Sequence, residues 1–287
     1  METGELTSFE DIFGNKLFQQ RAREALPILV RQALVSQKIT YSDLADELKM
    51  PNPRNLNYVL GLIGNTLLNL SEEWKEEIPP IQSIVINKQT EMPGEGVNWF
   101  INNRQQYEES TPTEKKRLLL EMLSNVFHYD KWLNVLEYLK LKPNVDSTTA
   151  FKKITKNAGH GTGEGEKHKQ FKIFISENPK LIGLTGFKKG DIEHNFPSLD
   201  SIDVYFSNDN SVVGVEVKSE TSNANDILRG LFQCKKYEAL IEAENCVNGV
   251  RKEINVILAL EKEFPNELLP IKNILSVNVI TAPNKRD

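Results

Sequence analysis

The sequence predicts an α/β protein with a mixed β-sheet flanked by helices in its C-terminal half and mostly helical structure before it. Four short apolar segments there have the composition of strands and are separated by turn residues, near 202–207, 211–218, 254–261 and 276–281. Two amphipathic stretches, near 164–178 and 223–243, have the apolar spacing of helices that pack on a sheet. With 287 residues, the chain is long enough for two modest domains.

The N-terminal elements begin with apolar positions between residues 9 and 34, which indicate one or two helices. A short helix follows, and either Thr40 or Ser42 could cap it by accepting from first-turn N–H groups. Two prolines then break the chain, and a second helix is expected from about 55 to 70.

A strand over 81–85 and a glycine-containing turn at 92–96 complete the first domain, which we expect to span residues 1–106. The order helix, turn, helix, strand and loop is typical of a winged helix. Residues 107–150 are expected to form a helical connector and linker, and residues 151–287 to form the domain with the sheet.

Composition is that of an ordinary globular protein, with 39% hydrophobic residues, 26% charged residues and a formal net charge of −5. Two cysteines, Cys234 and Cys246, are too few for a disulfide framework, so we expect reduced thiols and a cytoplasmic location. No apolar stretch is long enough to cross a bilayer, so no membrane partner is expected. Residues 151–190 hold nine lysines against three glutamates, which favours either phosphate contact or a solvated face.

The most informative residues lie on a predicted hairpin that turns at Asn208-Asp209-Asn210. Folding back at this turn brings Asp203 beside Glu216, and strand alternation puts Lys218 on the same face as Glu216. Two adjacent carboxylates repel each other unless a cation lies between them. The pattern therefore predicts a site for a hard divalent metal ion.

These residues resemble the PD-(D/E)xK nuclease superfamily, in which an Asp precedes a hairpin turn and Glu-x-Lys follows it. Asp203 matches the first acidic position, and Glu216 and Lys218 match the others. Asp200 is a nearby alternative to Asp203, but it precedes the strand. Gln233 and Tyr237, four residues apart on the next helix, resemble the QxxxY motif of the branch that includes RecB-type exonucleases.

The resemblance implies a role for each matching residue. Asp203, Glu216 and the carbonyl of Val217 would hold Mg²⁺ or Mn²⁺, while Lys218 would orient or help deprotonate a water molecule. Gln233 and Tyr237 would position the nucleic-acid strand through hydrogen bonds and stacking. A glutamate from the first helix of the domain often supports the metal in this family, and either Glu164 or Glu166 could be that residue.

The N-terminal half resembles the winged-helix DNA-binding domain of alkyltransferase-like proteins. Tyr41, Leu44 and Ala45 fit the Tyr-x-x-Leu-Ala pattern, and Arg54 and Asn55 precede the second helix as in that family. The segment 78–83, which would carry the alkyl-accepting cysteine, has none, so alkyl transfer is excluded. A DNA-reading module remains the expectation, and a protein-interaction module is the alternative.

Together these resemblances imply a Mg²⁺- or Mn²⁺-dependent deoxyribonuclease directed by a winged-helix domain, in restriction, anti-phage defence or DNA repair. Arg54, Asn55, His168 and Arg229 are the expected contacts to DNA, which could be double- or single-stranded. A homodimer or a partner protein of a defence system would also be consistent, since cutting both strands with one site normally needs two copies. The alternative is a non-catalytic DNA-binding or adaptor protein that retains the nuclease fold.

Overall fold

A computed structural model of the chain describes residues 12–94, 96, 110–144 and 165–282. Contacts between residues divide the chain into two compact units, 1–145 and 146–287. The helices expected to form a separate connector therefore belong to the first unit.

Helices dominate the first unit. Those within the described residues are α1 (Leu17–Leu34), α2 (Tyr41–Glu47), α3 (Leu56–Trp74), α4 (Pro112–His128) and α5 (Trp132–Tyr138). Two short strands, β1 (Ile39–Thr40) and β2 (Val85–Ile86), pair in parallel. Leu26, Ile63 and Trp132 lie in one shared apolar core, which shows that α1, α3 and α5 are parts of the same packed body.

Local sequence signals explain two features of this unit. Thr40 Oγ1 accepts from the N–H of Asp43 at 3.1 Å, so Thr40 caps α2, as one of the two predicted alternatives. The N–H of Gly94 donates to the hydroxyl of Tyr41 at 3.1 Å, which ties the glycine-containing turn to the first residue of α2.

The strand predicted over 81–85 is wrong in extent. Residues Ile81–Ile84 form a 3₁₀ helix, and only Val85–Ile86 is strand. All four residues of the 3₁₀ helix are buried, whereas a strand with one covered face would bury alternate residues. Pro80 directly precedes this helix and has no N–H to donate to a neighbouring strand.

The second unit has the mixed sheet flanked by helices that the sequence predicts. Its strands are β3 (Asp191–Asn195), β4 (Ser201–Ser207), β5 (Ser211–Lys218), β6 (Glu253–Leu260) and β7 (Asn278–Thr281), in that spatial order. β3, β4 and β5 are antiparallel, and β5, β6 and β7 are parallel. The helices of this unit that the structure describes are α6 (Glu166–Glu177), α7 (Ala224–Val247) and α8 (Leu269–Leu275).

Two apolar clusters cover opposite faces of this sheet. Leu231 of α7 packs with Leu258 of β6 on one face, while Phe171 of α6 packs with Val215 and Ile257 on the other. Leu258 and Ile257 are adjacent in β6, so alternation sends their side chains to different faces. None of the helices in the described ranges is long and apolar enough to cross a membrane.

Candidate metal-binding site

The hairpin of β4 and β5 carries the candidate residues. Its regular pairing runs from Ser207–Val212 to Val204–Val215. At the turn, the side-chain oxygen of Asn208 accepts from the N–H groups of Asn210 at 2.9 Å and Ser211 at 2.8 Å. This turn fixes the register and leaves Asp203 and Glu216 just beyond the last regular pair.

Strand β4 is distorted at Asp203. Val204 packs in the apolar cluster with α6, whereas Ile202, two residues away, packs in the cluster with α7. Regular alternation would send both side chains to the same face. The side chains of β4 therefore change face at Asp203, as they do where a strand bulges to redirect a functional side chain.

Three groups contact the carboxylate of Asp203. The N–H of Val217 donates to Oδ2 at 2.9 Å, while His168 Nε2 lies 3.4 Å and Lys172 Nζ 3.5 Å from Oδ1. Burial raises the pKa of Asp203, but the hydrogen bonds from His168 and Val217 and the charges of His168 and Lys172 outweigh burial and hold the pKa below its usual range. Asp203 is therefore held as a carboxylate.

Glu216 experiences a different environment. It is only 3% exposed, and Lys218 Nζ donates to its Oε1 at 2.7 Å. Burial and the nearby charge of Asp203 raise the pKa of Glu216 from 4.5 to about 7, against the opposing effect of Lys218. Burial is the larger of the two causes, so ionisation of Glu216 is unfavourable mainly because its carboxylate is removed from water.

Lys218 is held from two sides. Besides donating to Glu216, its ammonium donates to Oε1 of Gln233 on α7 at 3.3 Å. Helix α7 approaches closely here because residue 230 is glycine: a Cβ at that position would lie 2.9 Å from Lys218 Cε and 2.8 Å from Leu258 Cδ1. A Cβ at position 230 would therefore force the side chains of Lys218 and Leu258 to shift.

Tyr237, the second residue of the predicted Gln-x-x-x-Tyr pair, is buried. Its ring stacks on Phe196 with 5.9 Å between centroids, and its hydroxyl donates to the carbonyl of Ser201 at 2.6 Å. The ring therefore has no face open for stacking on a base, contrary to the expected role. Tyr237 instead fixes α7 to the start of β4, close to Asp203.

Glu166, one of the two candidates for a supporting glutamate, does not lie beside Asp203 and Glu216. Glu166 is exposed and accepts from Gln170 Nε2 at 2.9 Å. His168, which does reach Asp203, is about 200° away from Glu166 around the helix axis. Glu164, the alternative, lies outside the described residues.

The four residues expected to contact nucleic acid differ in exposure. Arg54 and Asn55 are exposed, directly before α3. Arg229 is exposed on α7, with Asp226 at 3.9 Å. His168, in contrast, is half-buried against Asp203 and is part of the site itself.

Two polar residues of this site were missed by the sequence-based prediction. Lys172 is buried, and its ammonium donates to Glu193 Oε1 at 2.8 Å as well as lying near Asp203. The spacing of His168 and Lys172, one helical turn apart, is the signal that could have placed both on the face of α6 that meets Asp203. Glu193 lies on β3, a strand that the sequence did not predict.

The chemistry of these residues fits a hard divalent cation. Among the residues that the structure describes, no group of three or more His, Cys, Asp and Glu side chains is arranged to hold a metal. Mg²⁺, however, commonly binds through one or two carboxylates and completes its coordination with water and substrate oxygens. Asp203 and Glu216 supply that number, and their mutual repulsion would be relieved by a cation.

Comparison with known proteins adds no assignment: no family model and no curated protein matches the chain.

Proposed function

We propose that the chain is a metal-dependent deoxyribonuclease that hydrolyses phosphodiester bonds in DNA. The observation that carries the proposal is the pair of mutually repelling carboxylates, Asp203 and Glu216, with the ammonium of Lys218 2.7 Å from one of them. Burial alone would not favour two acids and a lysine at the end of an apolar hairpin. The resemblance of these residues to the PD-(D/E)xK pattern supports the same conclusion.

In this proposal, Asp203, Glu216 and the carbonyl of Val217 hold Mg²⁺ or Mn²⁺. A metal ion held there would polarise the scissile phosphate and activate water for attack. The ammonium of Lys218 would offset negative charge on the phosphate and help to orient the attacking water. Gln233 accepts from the Lys218 ammonium and so limits its motion. Tyr237 acts indirectly, by holding α7 against β4.

The N-terminal unit is proposed to bind DNA and direct where cleavage occurs. Its support is the resemblance to winged-helix readers, with Arg54 and Asn55 exposed at the start of α3. Restriction, anti-phage defence or DNA repair would use such a combination of reader and nuclease.

The direct test is cleavage of plasmid and single-stranded DNA in the presence of Mg²⁺ or Mn²⁺. Wild type should cut at least one substrate, and Asp203→Asn and Lys218→Ala should each lower the rate by roughly 10²-fold or more. Lys189→Ala is the matched control, because that exposed lysine pairs with Glu177 and should be dispensable.

Two results would contradict the proposal. If all four proteins leave every substrate intact, the chain is not a nuclease under these conditions, and salt-dependent DNA binding by the same samples would favour the adaptor alternative. If cleavage is equal in all four proteins, the activity does not come from this site.

A further inference from the structure

Lys172 lies between two acidic residues that differ in exposure. Its ammonium is 2.8 Å from Glu193 Oε1 and 3.5 Å from Asp203 Oδ1. The side chain of Lys172 is 4% exposed, so its charge is balanced by protein groups more than by water. The side chain of Glu193 is 59% exposed, so its carboxylate stays hydrated and pays little desolvation cost when it pairs with Lys172.

The backbone at Glu193 is unusual. Glu193 lies opposite Asp203, between the pairs Ile192–Val204 and His194–Ile202. Its φ is +56°, in the left-handed region that residues with a Cβ rarely adopt. The strain therefore occurs directly across from the point where the side chains of β4 change face. Strain that the surrounding structure maintains is concentrated at functional positions.

We propose that Lys172 and Glu193 form a pair of positioning residues that controls cation binding at Asp203. This inference rests on the proposed metal site. Without a metal ion, the Lys172 ammonium helps to balance the charge of Asp203. When a divalent cation binds Asp203, it repels that ammonium, and Glu193 then balances the displaced positive charge. Glu193 thus favours cation binding without being a ligand.

The charges give the two residues opposite effects. Removing the charge of Glu193 leaves more of the Lys172 charge to be balanced by Asp203, where it competes with the cation. Removing the charge of Lys172 as well eliminates that competitor. A purely structural pair would behave differently, because losing both members would harm the site at least as much as losing one.

The test is a calorimetric titration with Mn²⁺ in the absence of DNA, using the full chain. The variants are Glu193→Gln, Lys172→Met, the double variant, and Lys172→Arg combined with Glu193→Gln. Asp203→Asn reports loss of the proposed ligand. Glu177→Gln is the control, since Glu177, at the end of α6, is an exposed glutamate that pairs with a lysine at 2.8 Å, as Glu193 does. Thermal unfolding establishes that each variant folds.

We expect Glu193→Gln to weaken Mn²⁺ binding by about tenfold, which is typical for residues that support metal ligands. The Lys172→Met/Glu193→Gln variant should return to within about threefold of wild type. The variant with arginine at 172 keeps the positive charge and should stay as weak as Glu193→Gln. Glu177→Gln should bind like wild type.

Four outcomes would overturn the inference. The first two are wild-type affinity in Glu193→Gln and a double variant that binds Mn²⁺ no more tightly than Glu193→Gln. If either occurs while Asp203→Asn still abolishes binding, only the inference fails. The third is a wild-type protein that binds no Mn²⁺, which would overturn the metal site as well. The fourth is recovery of affinity in the arginine variant, which would contradict the role of charge and can be measured even if Lys172→Met does not fold.

Discussion

Each unit of the molecule buries charged side chains, but the first unit pairs one acid with one base, whereas the second places two acids near each other. In the first unit, Arg31 Nη2 donates to Glu47 Oε1 at 2.7 Å and Nη1 to Oε2 at 3.0 Å. Both side chains are almost fully buried, and one guanidinium meets one carboxylate in the two-bond geometry that suits both groups. The opposite charges of Arg31 and Glu47 therefore neutralise each other inside the protein.

In the second unit, a buried acid lies near a second acid. Burial, and then the charge of Asp203, raise the pKa of Glu216 to about 7, although the Lys218 ammonium contacts Glu216. The carboxylate of Glu47 is stabilised by a matched guanidinium, whereas that of Glu216 is unfavourable to ionise in the folded protein.

The largest expected effect comes from breaking the matched pair. Arg31→Met should lower the free energy of unfolding by about 3 to 5 kcal/mol, because it leaves the Glu47 carboxylate buried without its guanidinium. Urea unfolding of the purified protein measures this change. The double variant Arg31→Met/Glu47→Leu should recover most of the loss, and an equally unstable double variant would show that the pair is not the cause.

A smaller effect of opposite sign is expected at Glu216. Glu216→Gln should raise the free energy of unfolding by about 2 kcal/mol at pH 8 without added metal, since it removes a carboxylate whose ionisation in the folded state is unfavourable. The gain should be smaller with Mg²⁺ present, because a bound cation stabilises the wild-type carboxylate.

The pH dependence of that gain follows from the raised pKa. Glu216 ionises near 4.5 in the unfolded chain and near 7 in the folded protein. Its contribution to stability is therefore fully present below pH 4.5 and is lost as the pH rises through about 7. The advantage of Glu216→Gln should accordingly disappear near pH 4.5. A constant advantage from pH 4.5 to 8 would contradict the raised pKa.

Two helical glycines allow a third comparison between the units. Gly230→Ala introduces a Cβ that would lie 2.9 Å from Lys218 Cε and 2.8 Å from Leu258 Cδ1, so it should displace Lys218 and lower the rate of DNA cleavage by about tenfold. Gly61→Ala on α3 is the control, since its Cβ would meet no atom within 4 Å. Equal cleavage by the two variants would show that the close approach of α7 does not matter.

The smallest effect is expected at the proposed DNA reader. Arg54→Ala should weaken DNA binding about threefold and lower the slope of log affinity against log salt by about one, as loss of one phosphate contact does. Fluorescence anisotropy at several salt concentrations measures both. Lys116→Ala, at an exposed position on α4, is the control, and an equal effect of the two variants would indicate nonspecific attraction alone.

The sequence predicted the mixed sheet and its main helices because their apolar patterns are strong. It did not predict β3, since Ile192 is the only apolar residue among the five and the strand lies at the exposed edge of the sheet. It also predicted a strand where Ile81–Ile84 forms a 3₁₀ helix, because so short a segment has no clear period and the polar Gln82 and Ser83 give no sign of their burial.

Of the candidate site, the sequence could predict the residues on the hairpin, because a turn and two alternating strands determine their neighbours. It could not predict Lys172, since a lysine on an amphipathic helix is ordinarily solvated. Nor could it predict the burial of Tyr237, which depends on Phe196 and the Ser201 carbonyl from a distant part of the chain.

The two thiols of α7 offer a way to observe the site from within. Cys246 is exposed, whereas Cys234 is buried, and burial followed by the charge of Glu216 raises the pKa of its thiol well above the usual value. A thiol reagent will thus modify Cys246 at once and will reach Cys234 only when α7 separates locally from the sheet. The delay between the two reactions therefore measures how often α7, which carries the Gln233 acceptor of Lys218, opens locally.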